Sequence, residues 1–138
     1  MSMCVVLNMG QALSRSESRA VAFRLIFAGG DWHVALPLAL GDKFAPAPEQ
    51  QYLARVLDGY HEHAAAIDEK IATHLQATWT IDRLRQTDLA VLRLALTEII
   101  LGDVPVPVII KEAVILAKQY GESNSGAFVN GILAKITE

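Results

Sequence analysis

Residues 79–136 read WTIDRLRQTDLAVLRLALTEIILGDVPVPVIIKEAVILAKQYGESNSGAFVNGILAKI, three helical segments separated by two kinds of stop. In the first, Leu89, Leu92, Leu96 and Ile99 recur at helical spacing, with Thr87 placed to cap them. Pro105 and Pro107 end that helix, and Pro107 suits the first turn of the next, where a missing N–H costs nothing. Val108, Ala113, Leu116 and Tyr120 give the second segment an apolar face, with Gly121 as its left-handed terminator. Ser123 or Ser125 opens the third, which contains Phe128-Val129-Asn130-Gly131. Asn and Gly both weaken a helix interior, so Gly131 implies close approach by another helix and Asn130 a bond to a neighbouring backbone group.

The same punctuation extends towards the N-terminus. Ser14 or Ser16 caps a first helix, Glu17 suits its positive end, and Gly29-Gly30 stops it. Ala20, Phe23 and Phe27 form its apolar stripe. Pro37, Gly41, Pro46 and Pro48 allow only a short helix near 33–40. Two further helices are expected over 49–57 and 59–75, the second with Ile67, Ile71 and Leu75 on its core face. A short turn opens at Thr80 or Asp82. No strand-like alternation and no internal repeat competes, so the fold class is all-α. Residues 1–13 read as a flexible leader, with Met9 as an alternative start, and 14–138 as a single domain.

Composition supports this reading. The 138 residues are 52% hydrophobic and 20% charged, which excludes disorder across the whole chain. With four Phe and two Trp, the core must be filled by Leu, Ile, Val and Ala, as in close-packed helices. The single cysteine, Cys4, excludes an internal disulfide and a cysteine-based zinc site, and points to a cytoplasmic protein. No stretch approaches the roughly 20 apolar residues of a membrane helix.

Little in the chain suggests bond-making chemistry. His61 and His63 stand two apart, about 160° round a helix, whereas zinc pairs on helices need a spacing of three or four. Gly121-Glu122-Ser123-Asn124-Ser125-Gly126 has the composition of a phosphate loop without its Gly-Lys-Ser/Thr ending or preceding strand. No catalytic group, metal site or cofactor is expected. The net charge of −3 argues mildly against nucleic-acid binding, but Arg15, Arg19 and Arg24 face only Glu17 over 15–24, a local excess of two positive charges. These arginines are either phosphate contacts or a solvated helix face. Phe128 is either core or a platform on which a base stacks. Arg83 and Arg85 read as surface charges, and Arg93 as a partner for Glu98.

The order of these elements resembles the NusB family of transcription antitermination factors. The match runs through Leu92-Arg93-Leu94, Glu98, Pro105, Lys111-Glu112-Ala113, Ala117-Lys118 and Phe128-Val129-Asn130-Gly131, and more weakly through Arg19-Ala20-Val21-Ala22-Phe23-Arg24-Leu25-Ile26-Phe27. The resemblance implies a bundle of about seven helices in two packed sub-bundles. It also implies a non-catalytic protein that binds boxA-type RNA with the NusE ribosomal protein, within an RNA polymerase antitermination complex that reads through ribosomal RNA genes. Carried over by position, the RNA-facing set is Arg15, Arg19, Arg24, Asp88, Asn124 and Phe128. The alternative is a protein-interaction or homodimerisation module of the same fold with weak or lost RNA binding, as the thinned arginine strip would allow.

Overall fold

A computed structural model describes residues 11–138, and the first ten residues of the expected leader lie outside the described residues. Six α-helices and one 3-10 turn follow in order: α1 (Arg15–Ala28), α2 (Trp32–Leu40), α3 (Ala47–Thr73), the turn Ile81–Arg83, α4 (Gln86–Leu101), α5 (Val106–Tyr120) and α6 (Ser125–Ile136). The described chain is thus all-helical apart from an isolated parallel bridge between Ala12 and Phe44. Six helices stand where about seven were expected, because the segments expected over 49–57 and 59–75 form one helix, α3, while the expected turn is the 3-10 turn. No described helix is long and apolar enough to cross a membrane. The chain divides into two compact units, one ending at Leu57 and the other Asp58–Glu138, with α3 contributing to both.

In the first unit α1 packs on α2. Ser14 caps α1 by a reciprocal box, its Oγ accepting from the Glu17 N–H while Glu17 Oε1 accepts from the Ser14 N–H, both at 3.0 Å. The expected stripe is broader than its spacing implied: Ser18, Arg19, Val21, Ala22, Phe23, Leu25 and Ile26 are all buried, whereas Phe27 is exposed. Gly29 and Gly30 turn the chain at φ 72° and 80°, in the region glycine reaches without strain. The end of the expected leader is held here too, because Leu13 N–H donates to the Phe44 carbonyl (3.0 Å) and Leu13 is buried.

Glu17 also accepts from Lys43, and this hydrogen bond, more than the one from Ser14, lowers its pKa from 4.5 to about 2. A depressed carboxylate stabilises the fold fully above its unfolded pKa and ceases to do so as pH falls from about 4.5 to about 2. Glu17→Gln should therefore narrow the gap in urea midpoint between pH 6 and pH 3. Because Glu17 is solvent-facing, added salt should shrink the effect.

The long helix α3 corrects the expected break near Gly59. A mid-helix glycine costs about 1 kcal/mol relative to alanine, but here it clears space: an added Cβ would lie 3.3 Å from Leu101 Cδ2 and 3.5 Å from Thr97 Cγ2. Close approach of α4 therefore keeps the helix continuous through Gly59.

The second unit is built on α4, α5 and α6, with α5 packing most extensively on α6 and α4 on α5. Rather than a stripe, α4 buries most of its circumference, including Leu89, Ala90, Val91, Leu92, Leu94, Ala95 and Leu96. Arg93 pairs with Asp68 on α3, not with Glu98, through two hydrogen bonds of 2.9 Å. That carboxylate holds the guanidinium even more firmly protonated than usual.

Other local expectations also shift. The cap position of α4 is Arg85, not Thr87, and makes no side-chain cap bond. On α5, Ala113 and Leu116 are buried, but Val108 and Tyr120 are exposed. Gly121 is extended (φ −100°, ψ −160°), not left-handed; Gly102 after α4 takes the left-handed role at φ 73°. Close helix approach falls at Gly126, where an added Cβ would meet Lys118 Cγ at 3.1 Å, and not at Gly131, where it would meet nothing within 4 Å. Asn130 is exposed.

Candidate nucleic-acid interface

The six candidate residues divide between the two units. Arg15, Arg19 and Arg24 stand on α1 of the first. Arg15 is exposed and reaches α3, donating from Nε to Glu49 Oε1 at 2.7 Å and from Nη2 to Oε2 at 3.4 Å. That hydrogen bond holds the Glu49 carboxyl below its ordinary range, against the opposing effect of partial burial. The Arg15 and Arg19 guanidinium carbons lie 4.5 and 5.6 Å from the ring centroid of buried Tyr52, within cation–π range.

Arg19 does not belong to a solvated strip, because it is only 5% exposed. Arg19 lies on the face of α1 that buries Ala22, Phe23 and Ile26, whereas Arg15, on the same side, is the first residue of the helix and stays exposed, so their four-residue spacing did not place both in solvent. Arg24 is exposed, its Nη2 lying 3.4 Å from the Ala39 carbonyl oxygen. Of these three arginines, Arg24 is available to an external anion, and Arg15 is available in competition with Glu49.

The second unit brings Asp88, Asn124 and Phe128 together. Asp88 lies in the first turn of α4, where the positive end of the helix favours a carboxylate. It is buried at 3% exposure. Its Oδ2 is 3.9 Å from Arg85 Nη1, and its Oδ1 has no hydrogen-bond partner among the described residues. Asn124 precedes α6 and its Oδ1 accepts from the same Arg85 Nη1 at 2.8 Å. Phe128 follows one turn later and is half-buried, intermediate between the core and platform readings. All three side chains line a cavity of about 180 Å³.

Two residues complete this region, one read from the sequence only as a surface charge, Arg85, and one given no role there, Trp79. Arg85 bridges Asp88 and Asn124, and its spacing of three from Asp88 was the available signal. Trp79 is 48% exposed and lines the same cavity, together with Arg83. Trp79, Asn124 and Phe128 also line a second cavity of about 360 Å³. Two aromatic rings, a buried carboxylate and the two guanidiniums of Arg83 and Arg85 can stack an unstacked base, accept from its amino group and neutralise its phosphate.

Comparison with known proteins gives the same direction. The NusB family model matches residues 16–138. The transcription antitermination protein NusB of Ruminiclostridium cellulolyticum is 36% identical over 134 residues, covering 94% of this chain and 90% of that one. Among solved structures, T. maritima NusB aligns with a TM-score of 0.82 at 33% identity, over 91% of both chains. A NusB solved with NusE and double-stranded RNA aligns with a TM-score of 0.79 at 27% identity, over 88% of this chain and 94% of that one.

Proposed function

Because the chain belongs to the NusB family, we propose that it is a non-catalytic transcription antitermination factor, binding boxA-type RNA together with a NusE ribosomal protein to promote processive ribosomal RNA transcription. The observation that carries the RNA reading is the convergence of Asp88, Asn124 and Phe128 on one cavity. A buried carboxylate oxygen without a partner is costly, and a base amino group would satisfy it. Phe128 supplies the stacking surface, Asn124 an amide for base or sugar edges, and Arg24 and Arg15 neutralise phosphates. Arg19 acts by holding α1 against Tyr52 rather than by reaching the RNA.

Of the three α1 arginines one is buried and one is paired with Glu49, so affinity for RNA alone is weak and salt-sensitive, and a protein partner sharing the RNA strengthens it. Val34 and Leu38, four apart on α2, are 71% and 86% exposed, apolar surface of the kind a protein partner covers. This favours assembly with NusE and, through it, with RNA polymerase in the cytoplasm. The same two side chains support a second reading, a homodimerising or protein-binding module whose RNA binding is lost.

Fluorescence anisotropy of labelled boxA-type RNA, with and without the NusE-like partner, separates the two readings. Binding should tighten with the partner and fail for a scrambled RNA; absence of sequence preference with the partner present would exclude the RNA reading. Arg24→Ala should reduce the slope of log affinity against log salt by about 1. Arg19→Ala should leave that slope nearly unchanged while lowering the urea midpoint.

A further inference from the structure

We infer that the larger cavity, lined by Trp79, Phe128, Gly131, His74 and Lys135, is a second nucleobase subsite, in which the Trp79 indole stacks the base neighbouring the one held at Asp88. The inference rests on the RNA reading above and extends it by one nucleotide. Its volume of about 360 Å³ is twice that of the Asp88 cavity and within the range of small-ligand sites. The two cavities share Trp79, Asn124 and Phe128, so a strand entering one is led directly to the other.

Trp79 is the residue that makes this a stacking site. It lies between α3 and the 3-10 turn, its N–H donating to the Gln76 carbonyl at 2.8 Å, and it leaves about half of its surface exposed. Trp32, the chain's other tryptophan, is buried. A half-exposed indole and a half-buried phenyl ring lining one cavity supply the aromatic surface on which single-stranded nucleic acids stack, since every base offers a π-face.

Polar groups suit the rest of a nucleotide. Lys135 lies four residues after Gly131 on α6 and brings a cation to the cavity for the connecting phosphate. His74 Nδ1 is 2.8 Å from the Lys70 carbonyl oxygen, which accepts its proton. This leaves Nε2 as the ring nitrogen available to a base or ribose group. Gly131 keeps the cavity open, because a side chain there would meet no protein atom and would occupy the ligand's space.

The test titrates the full chain with labelled boxA-type RNA in the presence of the NusE-like partner, reading both RNA anisotropy and tryptophan fluorescence. Trp79→Ala should weaken binding about tenfold, and Trp79→Phe should recover most of the loss. RNA should quench wild-type fluorescence but not that of Trp79→Phe, whose remaining tryptophan is buried. Gly131→Leu, which fills the cavity at an exposed helix position, should weaken binding as Trp79→Ala does without lowering the urea midpoint. Should Trp79→Ala fail to fold, the Trp79→Phe and Gly131→Leu results decide. Equal quenching in wild type and Trp79→Phe, with Gly131→Leu binding as wild type, would overturn the subsite while leaving RNA binding intact. Failure of the wild type to bind RNA would overturn both.

Discussion

Leu92→Ala is expected to lower stability by about 3 kcal/mol, equivalent to about 10 °C in Tm. Leu92 is fully buried near the middle of α4, the helix that buries most of its circumference in the second unit. Truncation removes the transfer free energy of the lost methyl groups and leaves a cavity that surrounding helices fill incompletely. Leu92→Met conserves volume and should cost less than about 1.5 kcal/mol. Urea titration followed by circular dichroism measures both. Equal midpoints for Leu92→Ala and wild type would contradict the assignment of α4 as the core helix of this unit. Phe27→Ala provides the contrast, since Phe27 is 51% exposed and its removal leaves no enclosed void.

Gly121→Ala should destabilise by about 2 kcal/mol, although its backbone conformation is one that any residue adopts. The cause is space. An added Cβ would lie 2.5 Å from Ser125 Oγ and 2.7 Å from the Ala117 carbonyl oxygen. Ser125 is fully buried and its Oγ accepts from the Glu122 N–H at 2.9 Å, so it cannot turn away without losing that bond. The carbonyl of Ala117 accepts from the Gly121 N–H at 2.9 Å and is equally fixed. Gly131→Ala should do the opposite, stabilising by up to about 1 kcal/mol, because it replaces an unencumbered helical glycine. Thermal unfolding of the two variants side by side tests the distinction. A destabilised Gly131→Ala would mean that α6 is packed at Gly131, where an added Cβ meets nothing within 4 Å.

These two glycines show where sequence reasoning stops. Position in the pattern suggested a left-handed terminator at 121 and a close helix contact at 131. The structure assigns the steric requirement to Gly121 and Gly126 and leaves Gly131 open to a cavity. Both errors share one origin: glycine permits several geometries, and which one is used depends on atoms elsewhere in the chain. The candidate site was legible to a similar depth. Asp88, Asn124 and Phe128 were named from the family resemblance, and they do meet at one cavity. Trp79 and Arg85 were not: an exposed indole has no local signature, and the spacing of Arg85 from Asp88 does not show that it also reaches Asn124, 39 residues away.

By itself the sequence determined the helical class and the main stops. A serine at 14 or 16 opens the first helix, a choice the structure settles on Ser14, Gly29-Gly30 turns the chain, and Pro105 and Pro107 separate α4 from α5. Each of these effects operates between neighbours, so spacing suffices to read it. Tertiary structure alone decided that α3 runs unbroken through Gly59, that Arg93 pairs with Asp68, that Arg19 is buried and that one oxygen of Asp88 is buried without a hydrogen-bond partner among the described residues. Those outcomes depend on groups brought together from distant parts of the chain, such as Arg93 and Asp68, 25 residues apart. Helical periodicity records which residues share a face of one helix, but not what lies against it.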